Sequence, residues 1–508
     1  IYTSNKLERK EDFETAYLAG YLRAKKHSVR VYCIVPTAPE LLGSALEPLP
    51  DLLLVKFPSQ EDAMRRAIAA LRQARLLNVG VKIAAYGEVA VCCRTFLVEE
   101  TRIVDQVINV NNNSDVDSLF PRSPDKKRKR NPLSFVPAAR DLLIRHRLPF
   151  AEVRFRTGCK GHCAYCSVWL CPQNEKEDNP DVSVEEALNE IQHLVQDCGV
   201  RTVVFKDLSF EDHGARWVDE FSNGVIERRL DFNYSLHLRT ETIISWPEDR
   251  LVGLALSGLT HVILGIESFL DEDLRLFRKM GRSQHALDAI DKLRKVGVLP
   301  SCSFLLLHPW TTRSNLLRNL SIAMERELLA FPMPVFNPLQ LHEGLPLTTR
   351  ARRDGLVVEG PALPYWIKWR FLHQELQPLG DVWTEIFSKQ EWWNRLFALK
   401  QLEILACLVG RNIGCSTELE LADDVLSRAN LMSHALLVKQ VRSTPATRSL
   451  QRRMLERDLR ALEIECASAA TELVSQLSEL LQYDNRPIRF RIVEIDGDRS
   501  AGPITPMS

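Results

Sequence analysis

The run Arg156-Thr-Gly-Cys159-Lys-Gly-His-Cys163-Ala-Tyr-Cys166-Ser167 decides the reading of this 508-residue chain. Its three cysteines stand at C-x3-C-x2-C spacing, directly after an apolar stretch, Glu152–Phe155, that reads as a strand. A loop this tight turns three thiolates toward one point. Three thiolates hold three corners of a cubane iron–sulfur cluster, which is normally tied by four. The fourth iron is then open to another ligand, as one position of a catalytic zinc is. On the residues alone two further readings stay open: a zinc site with Cys171 or His162 as fourth ligand, and unrelated thiols sharing a loop.

Outward from the loop, the chain repeats strand then helix. Expected strands are Glu152–Phe155, Thr202–Phe205, Asp231–Leu238, His261–Gly265, Pro300–Leu307 and Pro332–Asn337. Between them the pattern predicts helices over Val182–Val195, Gly214–Arg229, Asp249–Leu256, Asp271–Lys295 and Thr312–Leu328. Six such units fall short of the eight of a closed barrel, and chemistry belongs at the carboxyl ends of their strands.

The cysteine spacing, with Tyr165 directly before the third cysteine, resembles the signature of the radical S-adenosylmethionine (SAM) enzymes. That resemblance implies a [4Fe-4S] cluster on Cys159, Cys163 and Cys166 whose open iron chelates SAM, and reductive cleavage of SAM to a 5′-deoxyadenosyl radical. It also implies the family's partial (β/α)6 barrel, here residues 151–345. The strand ends carry further matches. Lys206-Asp207 resembles the aspartate-bearing strand end of a cobalamin-dependent subfamily, with Trp217 at a position often aromatic there. Arg239, by the same likeness, pairs with the SAM carboxylate in a bidentate fork. Gly265-Ile-Glu267-Ser268 resembles a G-x-E-S element, whose glutamate bonds the SAM amino group or ribose and whose glycine lets the backbone come close. For Arg239 and Glu267 an ordinary ion pair at the barrel mouth stays open. His308-Pro-Trp310 stands where relatives carry a glycine–proline–glycine–threonine turn. These bulkier side chains are expected toward the substrate, with His308 either a proton relay or a partner for local backbone. Asn337–Pro346 resembles the element that closes the barrel.

Residues 1–120 alternate expected strands (Val29–Val35, Asp51–Phe57, Val81–Tyr86, Gln106–Val110) with helices (Glu11–Lys25, Glu61–Leu76). Such alternation builds an open, Rossmann-like parallel sheet covered on both faces. The absence of G-x-G-x-x-G argues against a dinucleotide. Tyr17-Leu-Ala-Gly-Tyr-Leu-Arg23, Pro50-Asp-Leu-Leu-Leu-Val55 and Lys82-Ile-Ala-Ala-Tyr-Gly87 resemble the N-terminal cobalamin-binding domain of the same subfamily. No D-x-H-x-x-G is present, so the resemblance implies base-off cobalamin without a histidine below cobalt. Phe57, Pro58, Ser59 and Gln60 would lie near the lower cobalt face, and Gly87 with Glu88 near the nucleotide tail. A degenerate domain with no ligand stays open. Cys33, Cys92 and Cys93 read as structural, because buried free cysteine behaves as a small hydrophobe.

Residues 121–150 read as a linker whose basic run, Lys126–Arg130, is a solvated loop rather than a nuclear signal or RNA contact. Residues 346–508 read as a mainly helical domain expected to set substrate choice. Its helices are Gln401–Val409, Ala422–Leu437 and Ser449–Leu481, with a terminal strand Arg486–Ile495. Five of the nine tryptophans fall between Trp366 and Trp393, as helical core or a pocket wall.

Zero formal net charge argues against a general nucleic-acid or membrane-surface binder. No apolar run approaches the roughly 20 residues of a membrane span. Scattered cysteines and a first stretch, Ile1-Tyr-Thr-Ser-Asn, without signal-peptide character suggest a cytoplasmic setting.

The resemblance, covering residues from about 11 to 345, implies an α/β enzyme that methylates an unactivated carbon of a natural-product or peptide substrate. In it the deoxyadenosyl radical takes a hydrogen atom, methylcobalamin gives the methyl group, and a second SAM restores methylcobalamin. A flavodoxin- or ferredoxin-like electron donor is implied, without nucleic acid or membrane. Two alternatives stay open: a non-methylating rearrangement, cyclisation or oxidation with the same cofactors, and a non-catalytic zinc or iron–sulfur scaffold.

Overall fold

The structure is a computed structural model that describes residues 12–31, 50–57, 61–77, 80–110, 113–120, 138–140, 143–144, 150–170, 182–358, 365–412, 416–443 and 447–483. The chain sorts into two compact units. One holds residues 1–266, 271–301 and 340–370; the other holds 267–270, 302–339 and 371–508.

The first unit opens with Phe13–Ala24 (α1), Leu52–Lys56 (β1), Glu61–Leu77 (α2), Lys82–Tyr86 (β2), Glu88–Cys92 (α3), Gln106–Val107 (β3) and Asn113–Asp117 (α4). The three strands form a parallel sheet in the order β1-β2-β3. Side chains alternate along a strand, so each face gets its own core. Leu53, Val55, Ile83, Ala85 and Val107 pack with Met64, Ala67, Ile68 and Leu71 of α2. On the other face Ala84, Tyr86 and Ile108 pack with Phe13, Ala16, Tyr17 and Tyr21 of α1. Each fully buried aliphatic or aromatic side chain is worth about 1.5–3 kcal/mol, which is why so short a sheet needs both covers. Asp12 starts α1 by accepting the Thr15 N–H at 2.9 Å. Although burial opposes it, Lys56 at the end of β1 keeps the Asp12 carboxyl below its usual range. Of the expected strand Val29–Val35, residues 29–31 are irregular, and 32–35, with Cys33, lie outside the described residues.

The second sheet of this unit starts at Phe150–Val153 (β4) and continues through Val184–Gln192 (α5), Thr202–Phe205 (β5), Ala215–Glu227 (α6) and Asn233–Leu238 (β6). Thr240–Ser245 (α7), Glu248–Leu256 (α8), Leu259–Glu267 (β7), Asp271–Leu276 (α9), Ser283–Lys295 (α10) and Leu299–Phe304 (β8) follow. Strand order is sequence order, β4-β5-β6-β7-β8, and β4 to β7 pair in parallel. Helix α5 begins with a reciprocal Ser183–Glu186 capping box. Gly258, at φ +107°, starts β7 so close to β6 that a Cβ there would stand 2.2 Å from the Phe232 carbonyl oxygen. The single helix expected over Asp271–Lys295 is broken, with Arg278 and Gly281 at positive φ between its halves. Behind β5 an aromatic cluster of Phe155, Phe205, Phe210, Trp217, Phe221 and Tyr234 fills the interior. Two antiparallel bridges, Leu341 with Ile367 and Val357 with Trp369, bring the 365–370 segment back into this unit.

The second unit contains Arg313–Glu325 (α11); Pro346–Arg353 (α12) returns to the first. The sixth strand expected over Pro332–Asn337 is a 3-10 turn, Met333–Phe336. Prolines at 332 and 334 donate nothing to a ladder, so the parallel pairing falls instead on a single bridge, Leu307 with Pro338. Helices Gln377–Ser388 (α13), Gln390–Asn412 (α14), Ser416–Arg442 (α15) and Arg448–Tyr483 (α16) complete the unit. Trp383 and Trp392 are buried helical core, and Trp383 meets Phe336 edge-on at 5.1 Å. The strand expected over Arg486–Ile495 and the basic run Lys126–Arg130 lie outside the described residues. Among the described residues no helix is long and apolar enough to cross a membrane.

Candidate functional site

The cysteine loop follows β4 and is held by backbone from distant parts of the first unit. Ala164 donates its N–H to the Phe277 carbonyl at 2.8 Å and accepts the Leu347 N–H at 3.2 Å. Tyr165 stands edge-on to Phe277 with centroids 5.4 Å apart. At the loop's start the Lys160 N–H donates to Asp212 at 2.9 Å. The Gly161 N–H points to the Cys159 sulfur at 3.3 Å. A Cβ on Gly161 would lie 3.4 Å from the Cys159 sulfur and 4.0 Å from that of Cys163, so glycine keeps the space beside both clear.

Cys159, Cys163 and Cys166 are free and half-buried. Burial, with the charges of Cys163 and Cys159 adding to it, pushes the Cys166 thiol up to about 12. The three sulfurs therefore share one electrostatic neighbourhood. Among the described residues, however, no three His, Cys, Asp or Glu side chains gather around a point that would hold a single metal ion. Soft thiolates suit zinc and iron–sulfur clusters alike. His162 is exposed and Cys171 lies outside the described residues.

Behind the loop, the strand ends carry a network of charge. Asp207 after β5 is fully buried; His213 Nε2 donates to it at 2.7 Å, and the Phe155 N–H at 3.3 Å. His213 stacks on Trp217 with centroids 4.0 Å apart. Asp207 is thus committed to holding the ends of β4 and β5 together. Lys206 reaches Glu152 of β4 at 3.8 Å. Arg239 after β6 is clasped by two acids: Glu211 meets its Nε at 2.8 Å and Asp212 its Nη2 at 2.8 Å. Burial opposes the Arg239 charge, but Glu211, Asp212 and Cys159 hold its pKa above the usual value. Burial also raises the Glu211 carboxyl, against the pull of Arg239. Asp212, 2 % exposed at its side chain, bonds both the cysteine loop and Arg239. Glu211, Asp212 and His213 were missed in the sequence; the signal available was a run of three ionisable residues closely following a strand end.

In the second unit, Glu267 ends β7 with φ +65°, an uncommon conformation for a non-glycine residue. Its carbonyl accepts the Leu305 N–H at 2.9 Å. Asn319 of α11 fixes the following turn, accepting from Ser268 Oγ at 3.1 Å and the Phe269 N–H at 2.7 Å. Gly265 is half-buried within β7. His308 is buried, and its N–H donates to the Thr311 hydroxyl at 2.9 Å.

At the carboxyl edge of the first sheet, the buried Phe57 donates its N–H to the Tyr86 carbonyl at 3.2 Å. Gly87, at φ +95° and ψ +164°, occupies a backbone region essentially reserved for glycine. Glu88 is exposed and accepts the Tyr365 hydroxyl at 2.9 Å. Cys93 is buried and Cys92 half-buried in the adjoining core. Pro58, Ser59 and Gln60 lie outside the described residues.

Residues 153–319 match the family model of the Radical SAM superfamily. The chain carries a Radical SAM domain. A [4Fe-4S] cluster and SAM are the cofactors that this domain implies, and it needs a reductant. Among solved structures the chain resembles the cobalamin-dependent SAM radical enzyme OxsB with aqua-cobalamin and SAM bound. There the TM-score is 0.63 at 13 % identity, over 95 % of this chain and 79 % of that one. It also resembles the radical SAM methyltransferase TsrM of Kitasatospora setae with cobalamin and a [4Fe-4S] cluster bound, with TM-score 0.57 and 12 % identity over 85 % of this chain and 98 % of that one. At such identities the likeness establishes the fold: a Radical SAM core with an N-terminal parallel-sheet domain and a helical C-terminal part. A curated relative, an uncharacterized methyltransferase of Pyrococcus horikoshii, is 25 % identical over 181 residues, 36 % of this chain and 38 % of that protein. The chain spans between 26 % and 54 % of the length of the curated relatives it matches.

Proposed function

We propose that this Radical SAM enzyme is a cobalamin-dependent methyltransferase acting on an unactivated carbon of a natural-product or peptide substrate. The observation that carries the reading is the pairing, within one compact unit, of a clamped three-cysteine loop with a separate open parallel sheet. The carboxyl edge of such a sheet is where ligands lie. When bound, the cluster with SAM and cobalamin would supply radical hydrogen abstraction and a transferable methyl group.

Cys159, Cys163 and Cys166 are the residues that would hold the cluster, and Tyr165 orients their loop. Arg239, Gly265, Glu267 and Ser268 are assigned to SAM. The Glu211–Asp212 clasp keeps the Arg239 guanidinium oriented rather than leaving it to solvent. Lys206 and Asp207 brace the strand ends beneath, and Phe57 to Gln60, Gly87 and Glu88 are assigned to cobalamin. Residues 1–120 would form the cobalamin domain, 121–150 a linker, 151–345 the Radical SAM barrel and 346–508 the part that sets substrate choice. A flavodoxin- or ferredoxin-like protein is the proposed donor.

The test is anaerobic purification with hydroxocobalamin supplied, followed by an absorption spectrum and analysis of iron, sulfide, zinc and cobalt. Four irons and one cobalt per chain, with Cys159→Ala losing iron but keeping cobalt, are expected. Iron without cobalt would remove the cobalamin part, and zinc alone would remove both. S-adenosylhomocysteine appearing with methylated product separates methylation from other radical outcomes.

A further inference from the structure

Cys198 closes the turn that follows α5. Residues His193–Asp197 form a single wide π-turn, and the Cys198 N–H donates to the His193 carbonyl at 3.1 Å. Such turns are rare and are frequently found at functional sites. In an α-helix, side chains five residues apart stand about 140° from each other around the axis and cannot meet. The wider turn carries Cys198 round to His193, so that its sulfur lies 3.6 Å from His193 Nε2. The other ring nitrogen, Nδ1, donates to Asp197 at 2.7 Å. That bond puts the proton of the neutral ring on Nδ1 and leaves Nε2, which faces the sulfur, as the acceptor. Sulfur, imidazole and carboxylate thus stand in the order of a thiol nucleophile, its base and the group that orients the base. Solvent reaches all three: Cys198 is half-buried, and the His193 and Asp197 side chains are 42 % and 69 % exposed. Gly199 follows at φ +71°, and among the described residues nothing lies within 4 Å of where a Cβ on it would stand.

We propose that Cys198 is a modification site, a nucleophilic thiol that exchanges with low-molecular-weight peptide disulfides. An ordinary thiol is only slightly ionised at neutral pH, and the thiolate is the species that attacks. Here the Cys198 proton passes to His193 Nε2, and Asp197 steadies the imidazolium that forms. The sulfur then attacks one sulfur of the disulfide, a new sulfur–sulfur bond forms and the old one breaks. The departing thiolate takes the proton back from His193. Cys198 is oxidised to a mixed disulfide, and half of the incoming disulfide leaves reduced as a thiol. The open side at Gly199 admits an extended peptide, and the leaving group needs the proton that His193 holds. Cys198 precedes β5, whereas the three-cysteine loop follows β4, which runs parallel beside it. The adduct therefore forms at the amino edge of the sheet, away from the three cysteines at the carboxyl edge. Neither SAM nor cobalamin enters the argument.

The experiment uses the full chain, reconstituted anaerobically with iron and sulfide and incubated with oxidised glutathione at neutral pH. Mass spectrometry of the cysteine-bearing peptides follows the uptake of glutathione at each position over time. Cys198 in the wild type is expected to take it up about tenfold faster than in His193→Gln, the gain in thiolate from a base that accepts its proton. Asp197→Asn, which keeps the shape and loses the charge that steadies the imidazolium, is expected to fall between the two. Both changes are at solvent-exposed side chains, so iron per chain and the thermal unfolding midpoint stay at wild-type levels, which separates loss of the base from loss of the fold. A Cys198 rate in His193→Gln within twofold of wild type would overturn the proposal. So would glutathione that accumulates on Cys92 or Cys302 and spares Cys198.

Discussion

Replacing Asp212 by alanine tests the clasp behind the cysteine loop. The carboxylate is buried and makes two bonds, one to the Lys160 N–H at 2.9 Å and one to Arg239 Nη2 at 2.8 Å. Bonds involving a charged partner are worth about 1.5–3 kcal/mol each, and the lower end applies where Arg239 is partly exposed and keeps Glu211. The loop end should therefore lose about 3 kcal/mol of local stability, equivalent to roughly a hundredfold rise in opening. Hydrogen exchange at the Lys160 amide in the cluster-free protein reads that opening directly. Release of iron to a chelator from the loaded protein should accelerate in parallel. Asp212→Asn retains one acceptor and should show about a tenfold effect, one bond's share. Exchange at Lys160 in Asp212→Ala within twofold of wild type would refute the view that this carboxylate holds the loop.

Burial, helped by the charge of Lys206 and opposed by that of Asp207, pushes His237 down to about 4. The folded state then resists a proton that the unfolded chain accepts near 6.5, so stability is complete above that pH and falls toward pH 4, by up to about 3 kcal/mol. His237→Gln should flatten that part of a stability-versus-pH curve measured by chemical denaturation. Gly87→Ala forces a side chain into a glycine-only conformation, at about 1–3 kcal/mol, and should lower both thermal stability and retained cobalt. Asn319→Ala leaves the buried Phe269 N–H and Ser268 hydroxyl without their acceptor, costing roughly 2 kcal/mol; weaker SAM binding by calorimetry is the accompanying expectation. Unchanged SAM binding would detach that turn from the cofactor.

What could be read locally was read well. Thr202–Phe205 is a strand with the same bounds in sequence and structure, because an apolar run of four between polar breaks has few other uses. The spacing of Cys159, Cys163 and Cys166 was legible as a loop directly after a strand, and that is where the structure has them. Errors came where one local signal outvoted another. Pro332–Asn337 carried strand-like apolar residues, but its prolines favoured a turn. Asp271–Lys295 kept a helical period, but the chain leaves the helix after Leu276 and turns through Arg278 and Gly281, both at positive φ. Asp212 and Tyr365 were invisible for a different reason. Each matters through partners 52 or 277 residues away, and a single sequence holds no trace of such distances.

The clamps on the cysteine loop also impose an order in time. Ala164 is tied to Phe277 and Leu347, and Lys160 to Asp212, so these supports all lie downstream of the loop in the chain. A ribosome adding about 5–20 residues per second reaches Leu347 roughly 9–36 s after Cys166. Until then the loop on the nascent chain lacks at least one of these ties. The clamped loop is accordingly complete only once the segment around residue 347 has been made.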